Sequence, residues 1–379
     1  MAIQNYAVYY SADELTFTAL TNVNSISVNL GRKAQLDQYG ASTATVVLRY
    51  PTGYASPIAD LVTGTFIQIS NLSSKNTFFG VINNVQVKYG LPYSGGVGNA
   101  DYVTLSVEST FAKLGRLQGG GYSMIADHAT NQMAYGRTAT NVKMYYEQLA
   151  GGVLAAGPQM AATTINGTWG DWINRFALTV NGRIQDAIGN AITVVSPFTL
   201  PTSAINFSDT TNDATNQVYD TIDFESLADN FYTQVTVTPE SFGASTVTKV
   251  GAVKPYRTLQ TNTFNSSVAQ GADYATYLLS NYETSKFAIG SISCLAEAQN
   301  VFGLDKIGKG TAGAGSMIGA SCSVTFRGSV YNAIVEGVSI TATPEGSRYT
   351  YYLSGADLNA YLLLNNATFG RLDFNKLGY

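Results

Sequence analysis

The sequence predicts a mainly β fold with small α/β insertions, and three observations indicate it. Apolar and polar residues alternate over short runs with the period of a pleated strand, most clearly over Thr43–Leu48. Turn-forming residues such as Pro51 and Gly53 interrupt these runs at short intervals. Few segments space their apolar residues as a helix does. The 379 residues are enough for two to four domains.

Residues 1–117 read as an all-β module. Ala44, Val46 and Leu48 point to one face of a predicted strand, and Thr43 points to the other. The alternation then resumes in three further runs, which are 65–69, 78–82 and 103–107. A glycine-rich stretch, 93–99, separates two of the strands, as the tip of a hairpin would. Gly119–Gly121 marks the end of this module.

The next segment, 118–225, predicts a mixed α+β unit. The spacing of apolar residues predicts a short helix over Thr140–Leu149. Thr168 and Asp171 form a capping box before an apolar helix face that contains both tryptophans. Asn181-Gly182 predicts a two-residue hairpin turn between strands 178–180 and the run that contains Ile184.

The remaining chain divides into an α+β segment, 226–300, and a second β module, 301–379. Residues 223–232 suggest a helix or turn before a strand at 234–238. The clearest helix of the chain is 272–282. The further predicted elements are a strand at 289–295 and a flexible connector at 308–315.

The two β modules share a faint sequence pattern. Phe78–Val81 and Phe326–Ser329 each precede a short alternating strand and then a longer one. Two explanations of this pattern stay open: an internal duplication, or a chance recurrence of similar strands.

The composition favours a protein that assembles with other proteins. Only 12% of the residues are charged, whereas 25 are tyrosines. Tyrosine and neutral polar groups cost less to remove from water than ions do, so such a surface suits permanent contacts. The net charge of −4 and the absence of long basic runs exclude general binding to nucleic acid.

Few residues point to catalysis or to a cofactor. The single histidine, His128, excludes metal sites that need several imidazoles, and the sequence has no Gly-x-Ser-x-Gly motif. The run 303–310 resembles a phosphate-binding loop but has Gly310 where the metal-binding hydroxyl belongs. Two pairs of carboxylates, Asp13 with Glu14 and Asp223 with Glu225, leave glycoside hydrolysis open. We therefore expect no enzyme activity, no metal and no cofactor.

Two cysteines, Cys294 and Cys322, could form one disulfide, but their apolar strand-like surroundings favour buried free thiols. Met1–Asn5 lacks the basic start and apolar core of a signal peptide. The apolar windows fall short of the roughly 20 residues that a membrane span needs. We expect no membrane span.

Several short motifs occur together at the two ends of the chain and in one helix. They are Gly31-Arg32, Leu36-Asp37, Thr43–Val46, Pro51–Pro57, Phe78 with Gly80 and Ile82, the Ala-rich helix 272–282, and the closing segment Ala367–Tyr379. With these motifs the sequence resembles bacteriophage minor tail proteins, the baseplate hub proteins at the tip of a long tail. The resemblance covers both ends of the chain well and the middle loosely.

This resemblance implies a multidomain tail-hub architecture with two β-barrel-like modules in each chain. Three chains would present six barrels and so match a threefold hub to a sixfold tail tube. The implied role is structural: the hub connects the distal tail tube to the tip and lines or closes the DNA channel. The implied partners are a distal tail protein or tube ring, a tape measure protein, and a spike, fibre or receptor-binding protein. The implied location is the virion, after synthesis in the host cytoplasm.

We expect the interfaces in two exposed loops, 31–39 and 93–99, and in a C-terminal arm, 369–379. Two other functions stay open: a receptor- or carbohydrate-binding tip protein, which the many tyrosines favour, and a tail-associated cell-wall hydrolase. The predicted interface residues are Arg32, Lys33, Gln35, Asp37, Tyr39, Tyr93, Phe369, Arg371, Leu372, Phe374, Leu377 and Tyr379.

Overall fold

Strands dominate the computed structural model, which confirms the predicted mainly β class. Where apolar and polar residues alternate along a predicted strand, buried and more exposed side chains alternate in the structure. In β4, for example, Ala44, Val46 and Leu48 are buried between more exposed neighbours. The structure describes residues 3, 5–50, 60–71, 76–90, 100–150, 153–154, 157–187, 189–196, 205–211, 216–225, 231–283, 288–296 and 318–355.

The first part of the chain forms seven strands. They are β1 (Tyr6–Ser11), β2 (Thr18–Ala19), β3 (Val23–Gly31), β4 (Thr43–Tyr50), β5 (Phe66–Asn71), β6 (Asn76–Lys88) and β7 (Asp101–Glu108).

A mixed α/β unit follows. Its elements are α1 (Thr110–Arg116), β8 (Tyr122–Met124), β9 (Asp127–His128), α2 (Ala129–Thr140), β10 (Lys143–Ala150), β11 (Val153–Leu154), β12 (Gln159–Met160), β13 (Thr163–Ile165), α3 (Trp169–Thr179), β14 (Arg183–Gln185) and β15 (Ala191–Ser196).

The rest of the described chain adds strands to a large sheet, then forms a small separate unit, and then returns to the large sheet. Strands β16 (Ile205–Ser208), β17 (Asn216–Val218) and β18 (Thr221–Glu225) come first. A small unit follows with β19 (Gln234–Pro239), β20 (Ser245–Thr248), β21 (Thr258–Thr263) and α4 (Val268–Tyr282). The last strands are β22 (Ala288–Ala296), β23 (Ser321–Phe326), β24 (Ser329–Thr343) and β25 (Gly346–Gly355).

Fourteen of the described strands form one large sheet in which β24 is the central member. Its order is β17-β16-β23-β24-β3-β4-β7-β6-β5-β1-β2, and β25, β22 and β18 extend from β24 on the other side. Strand β24 therefore joins the first strands of the chain to the last ones, through its antiparallel pairing with β3. All four predicted segments, 1–117, 118–225, 226–300 and 301–379, contribute strands to this sheet. The limits of these segments and the closure of two barrel-like modules stay predictions.

The described residues bury three hydrophobic cores. The largest lies against the large sheet and combines residues from both ends of the chain, such as Val28, Val46 and Val335. The second fills the α/β unit around Trp172 and Phe176. The third is small and lies between α4 and the sheet β20-β19-β21. None of the helices in the described part of the chain has the length and apolar character that a membrane crossing requires.

A β-bulge in β24 determines which way its side chains point. Val335 faces the largest core, and so does Val338, although an odd and an even position of a regular strand face opposite sides. The register shift between Val335 and Gly337 inserts one extra residue, Glu336, and restores the apolar face. Because of this bulge, the buried Glu336 points away from the large core and towards the α/β unit.

Most predicted elements are confirmed. Thr168 caps α3, and its capping box with Asp171 is complete. The predicted helix 272–282 lies within α4, and the strands predicted at 234–238 and 289–295 are β19 and β22. The hairpin predicted around 93–99 joins the antiparallel neighbours β6 and β7.

Three predictions from local patterns are wrong: the helix 140–149, the start of the helix or turn 223–232, and the hairpin turn at Asn181-Gly182. Thr140–Leu149 is not a helix, because 143–150 form strand β10, which pairs in parallel with β15 and buries alternate residues. Helix α2, which precedes it, was missed. Residues 223–225 belong to strand β18 rather than to a helix or turn.

The Asn181-Gly182 dipeptide ends a helix instead of joining two strands. Helix α3 continues to Thr179, and Asn181 adopts the left-handed conformation. The Gly182 N–H donates to the Ala177 carbonyl at 2.7 Å, and the Asn181 N–H donates to the Leu178 carbonyl at 3.0 Å. This pair of bonds is a Schellman motif, which uses the same Asn-Gly preference as a hairpin turn. The observed hairpin pairs β14 with β15.

Some predictions fall on residues that the structure does not describe. These are the turn 51–57, the hairpin tip 93–99, the phosphate-loop resemblance at 303–310, the connector 308–315 and the closing segment 367–379.

We predict that Gly337→Ala destabilises the protein because the bulge leaves no room for a side chain. A Cβ at Gly337 would lie 2.3 Å from the Arg32 carbonyl oxygen and 2.7 Å from that of Leu30, and backbone cannot move aside cheaply. The expected loss is about 1–3 kcal/mol of unfolding free energy, measured by urea titration. Gly346→Ala is the matched control, because a Cβ there meets no atom within 4 Å. Equal losses in both variants would contradict the packing assigned to the bulge.

Candidate functional site at the junction of the three cores

The loop that connects β3 to β4 passes between the large sheet, α3 and α4; we call residues 31–39 the junction loop. It begins at Gly31, whose φ of +72° is a conformation that glycine adopts readily. A Cβ at Gly31 would lie 2.3 Å from the Glu336 carbonyl oxygen. This close approach lets the Arg32 N–H donate to the same oxygen at 3.0 Å. The junction loop therefore starts directly on the bulge of β24.

The Glu336 carboxylate lies between two arginines that come from different parts of the fold. Its Oε2 accepts a hydrogen bond from Arg32 Nε at 2.9 Å, and its Oε1 accepts one from Arg183 Nη2 at 2.7 Å. Ser354 Oγ donates to Oε1 at 2.5 Å. The side chains of Glu336 and Arg183 are 0% and 1% exposed. We call Arg32, Arg183 and Glu336 the buried ion cluster.

The cluster keeps its carboxylate ionised in a buried place. Burial by itself would raise the pKa of Glu336, but the nearby guanidinium groups of Arg183 and Arg32 lower this pKa to about 2. Charges buried in this way contribute little net stability when all partners are present. Removing one partner is costly, because it leaves the others without compensation. The cluster therefore fixes the geometry of the junction more than it adds stability.

Hydrogen bonds attach the junction loop to the α/β unit and to the small unit. The Tyr39 N–H donates to Asn174 Oδ1, and Asn174 Nδ2 donates to the Tyr39 carbonyl, each at 3.0 Å. The Arg32 guanidinium lies 4.4 Å from the centre of the Tyr39 ring, whose burial raises the pKa of its hydroxyl to about 12. The Tyr282 hydroxyl at the end of α4 donates to Gln35 Oε1 at 2.7 Å.

A second buried carboxylate, Asp186, connects the α/β unit to the large sheet at another point. Its oxygens accept hydrogen bonds from the Ser42 N–H at 2.9 Å, from Ser42 Oγ at 2.5 Å and from Ser109 Oγ. Burial raises the pKa of Asp186, although these three donors act in the opposite direction. Two buried carboxylates therefore join the same two units.

Arg175 joins α3 to the small unit. Its guanidinium forms an ion pair with Glu240, donates to the Thr263 carbonyl at 3.1 Å and lies 4.3 Å from the centre of the Phe264 ring. All three cores are therefore connected by charged side chains that meet around α3 and the junction loop.

A cleft of about 730 Å³ opens beside these contacts. Its walls are the junction loop, α3, the small sheet and Leu278 of α4. It is lined by Arg32, Leu36, Asp37, Gln38, Tyr39, Asp171, Asn174, Arg175, Ala177, Leu178, Thr236, Thr238, Leu259, Gln260, Thr261, Asn262 and Leu278.

The predicted interface residues of the junction loop divide into two groups. Arg32 and Tyr39 are turned inward, and Gln35 contacts α4, so the structure gives these three an internal role. Lys33 and Asp37 are exposed. Tyr93 and the predicted residues of 369–379 lie outside the described residues. Their contacts with other chains stay predictions.

Three buried charged residues of this region were not predicted from the sequence. Arg183, Glu336 and Asp186 are charged residues within or beside apolar strands, and that position was the available signal. No local spacing connects them, because Arg183 and Glu336 are 153 positions apart in the chain.

The residues considered for catalysis are not among those that line the cleft. His128 is exposed, with Nδ1 3.0 Å from the Gly157 carbonyl oxygen. The Asp13 carboxylate accepts hydrogen bonds from nearby backbone, and that of Asp223 accepts one from Ser291 Oγ at 2.9 Å. Among the described residues no group of three or more His, Cys, Asp or Glu could hold a metal ion.

Both cysteines are free and buried, as the sequence favoured. Burial raises the pKa of the Cys322 thiol to about 12 and raises that of Cys294 as well. Neither thiol is therefore suited to act as a nucleophile at neutral pH.

Comparison with known proteins finds the same fold in phage tail proteins. The chain is similar to the 43 kDa tail protein of prophage MuSo2 from Shewanella oneidensis: the TM-score is 0.62 and the identity 9%, over 93% of this chain and 98% of that one. It is also similar to a tail protein from Neisseria meningitidis, with a TM-score of 0.63 and 12% identity over 93% and 97% of the two chains. Prophage tail protein gp18 from Listeria monocytogenes matches with a TM-score of 0.52 and 9% identity, over 94% and 96%.

No family model and no curated protein matches the sequence. The tail-protein resemblance seen in the sequence motifs is thus confirmed at the level of the fold.

We predict that Arg183→Met costs about 3–5 kcal/mol of unfolding free energy, because it leaves the buried Glu336 with one arginine fewer. Arg348→Met is the matched control: Arg348 pairs with Asp220 at 2.6 Å, but the two side chains are 51% and 34% exposed. Such a pair is worth at most about 1 kcal/mol. Urea unfolding at neutral pH measures both values. A loss for Arg183→Met no larger than that of the control would contradict the assigned role of the cluster.

We also predict a pH dependence that comes from Glu336. Its folded-state pKa of about 2 lies below its ordinary value, so its contribution is complete above roughly pH 4.5 and is lost as the pH falls towards 2. The loss is on the order of 3 kcal/mol. Glu336→Gln should be less stable than the native protein at neutral pH and lose less stability between pH 5 and pH 2.5. Asp186 and the exposed carboxylates are the same in both proteins, so their contributions cancel. Parallel pH profiles would show that Glu336 is not the titrating group.

Proposed function

We propose that this chain is a structural protein of a phage tail tip. In this role it is a hub that joins the distal end of the tail tube to the tip and lines or closes the DNA channel. The observation that supports the proposal most directly is the match to two tail proteins over at least 93% of this chain and 97% of theirs. Since their identities to this chain are 9% and 12%, the likeness concerns the fold, and the role is our inference.

The internal contacts of the chain suit a part that carries load. Three cores are connected by the buried ion cluster, by Asp186 and by the Arg175–Glu240 pair. Such contacts resist sliding and rotation of one unit against another, because a shift would leave buried charges unpaired. His128, Asp13 and Asp223 do not line the cleft, and a hub needs no catalytic group.

The composition of the chain supports assembly with other chains, and the assembly that we propose is a homotrimer. The low charge and the many neutral polar groups reduce the cost of removing water from a broad interface. An obligate trimer of this kind would bury roughly several thousand Å². The proposed partners are a distal tail protein or tube ring, the tape measure protein, and a spike, fibre or receptor-binding protein. The net charge of −4 would let DNA pass without adhering.

We predict that the purified chain forms a trimer with a mass close to 121 kDa, three times the chain mass of 40.3 kDa. Native mass spectrometry over a range of protein concentrations measures this mass. Electron microscopy of virions should then show a threefold ring of this size at the end of the tail tube. A chain that stays monomeric at every concentration and turns over peptidoglycan would overturn the proposal and favour the cell-wall hydrolase. Binding to a defined glycan by a monomeric chain would favour the receptor-binding alternative instead.

A further inference from the structure

In the part of the chain that the structure describes, the outer edge of β21 faces the cleft and is open. The small sheet has the order β20-β19-β21, and among the described residues no strand pairs with the far side of β21. Leu259, Gln260, Thr261 and Asn262 all line the cleft, although successive residues of a strand point to opposite faces. The cleft therefore runs around the edge of this strand. An exposed edge presents unpaired N–H and C=O groups to whatever fills the space beside it.

The cleft is suited to a neutral polypeptide rather than to a charged ligand. Its four charged side chains already have partners: Arg32 pairs with Glu336, Arg175 with Glu240, and Asp171 caps α3. The fourth, the exposed Asp37, accepts a hydrogen bond from the Ala34 N–H at 2.9 Å. The other side chains that line the cleft are neutral, and they include polar groups such as Thr236 and Asn262 as well as four leucines. An open strand edge with pockets beside it is the usual setting in which an extended peptide adds to a sheet.

The chain itself leads towards this cleft at the end of β25. Ser354 Oγ donates to Glu336, whose other oxygen binds Arg32, a residue of the cleft wall. The Lys33 ammonium, in the same loop, lies 5.8 Å from the centre of the Tyr352 ring. The last described residues of β25 are thus separated from the cleft by a single ion pair. Residues 356–379 follow directly and, fully extended, would reach up to about 80 Å.

The composition of 356–379 fits the cleft. Its two acidic residues, Asp357 and Asp373, are balanced by Arg371 and Lys376, so the segment is neutral as a whole. It also contains a run of leucines, 362–364, flanked by tyrosine and asparagine. Leucine side chains match the leucines that line the cleft, and asparagines match its threonines and amides.

We propose that part of segment 356–379 docks in the cleft of its own chain and adds to the open edge of β21. The docked segment would connect the large sheet to the small unit. It would also cover a strand edge that otherwise favours aggregation. This inference concerns the chain itself and does not depend on the proposed role in a tail.

Hydrogen exchange measured by mass spectrometry tests this proposal. The full chain is compared with a chain that ends at Gly355, and the readout is the exchange of the peptide that covers 258–262. We expect at least about tenfold slower exchange in the full chain, and we expect a synthetic peptide of residues 356–379 to restore the slow exchange when added to the truncated chain. Unchanged exchange of 338–342 in β24 shows that the truncated chain is folded. Equal exchange of 258–262 in both chains would overturn the proposal.

A point variant in the full chain gives a second test that does not need truncation. Leu363→Asp should raise the exchange of 258–262 at least about tenfold, because the aspartate would bring an unpaired charge against the apolar wall. Leu15→Asp is the matched control: Leu15 is 85% exposed, does not line the cleft and should leave this exchange unchanged. The protection should also be independent of protein concentration over a hundredfold range. Protection that disappears on dilution would mean that a second copy supplies the segment, and it would refute docking within one chain.

Discussion

The fold depends on one buried carboxylate, Glu336, that two arginines from separate parts of the chain must reach at once. Arg32 comes from the end of β3, Arg183 from the α/β unit, and Glu336 from the centre of the large sheet. A buried charge without its partners is costly, so the three positions are not independent. The glycines on either side of this contact are part of the same constraint. Gly31 and Gly337 bring the two backbones so close that neither position has room for a side chain.

The β-bulge in β24 is what allows Glu336 to reach both arginines. In a regular strand, Glu336 could reach the α/β unit only if the apolar residues after it faced away from the large core. The extra residue lets Val338 face the core while Glu336 still faces its arginines. The junction loop, the α/β unit and the small unit are then positioned from that point, through Asn174, Arg175 and Tyr282. These contacts link the three cores of the described residues.

The sequence predicted what short-range patterns control. Alternation over Thr43–Leu48 predicted a strand with the correct buried face, and the capping box of Thr168 predicted where α3 begins. Predictions from local patterns were wrong where the same sequence pattern is typical of two different structures. Val142 and Tyr146 have helical spacing, yet they also lie on one face of a strand, and the parallel pairing with β15 decides between the two. The Asn181-Gly182 pair suits a hairpin and a helix end equally well, and the length of α3 decides it.

The candidate site was predictable only in part, because its contacts join distant parts of the chain. The motif that contains Arg32 and Asp37 drew attention to the junction loop, and the structure places that loop where three cores meet. The prediction of an exposed loop did not anticipate that Arg32 and Tyr39 face inward. Their partners, Glu336 and Asn174, lie 304 and 135 positions away, and no period of two or 3.6 residues carries that information.

The most direct test of this account is whether the cores unfold together because Glu336 connects them. Both tryptophans, Trp169 and Trp172, lie in the core of the α/β unit, so their fluorescence reports on that unit alone, whereas far-UV circular dichroism reports mainly on the large sheet. In the native protein the two urea transitions should coincide. In Glu336→Ala the fluorescence transition should move to a lower urea concentration than the dichroism transition. Coincident transitions in the variant would contradict the claim that the buried ion cluster couples the two units.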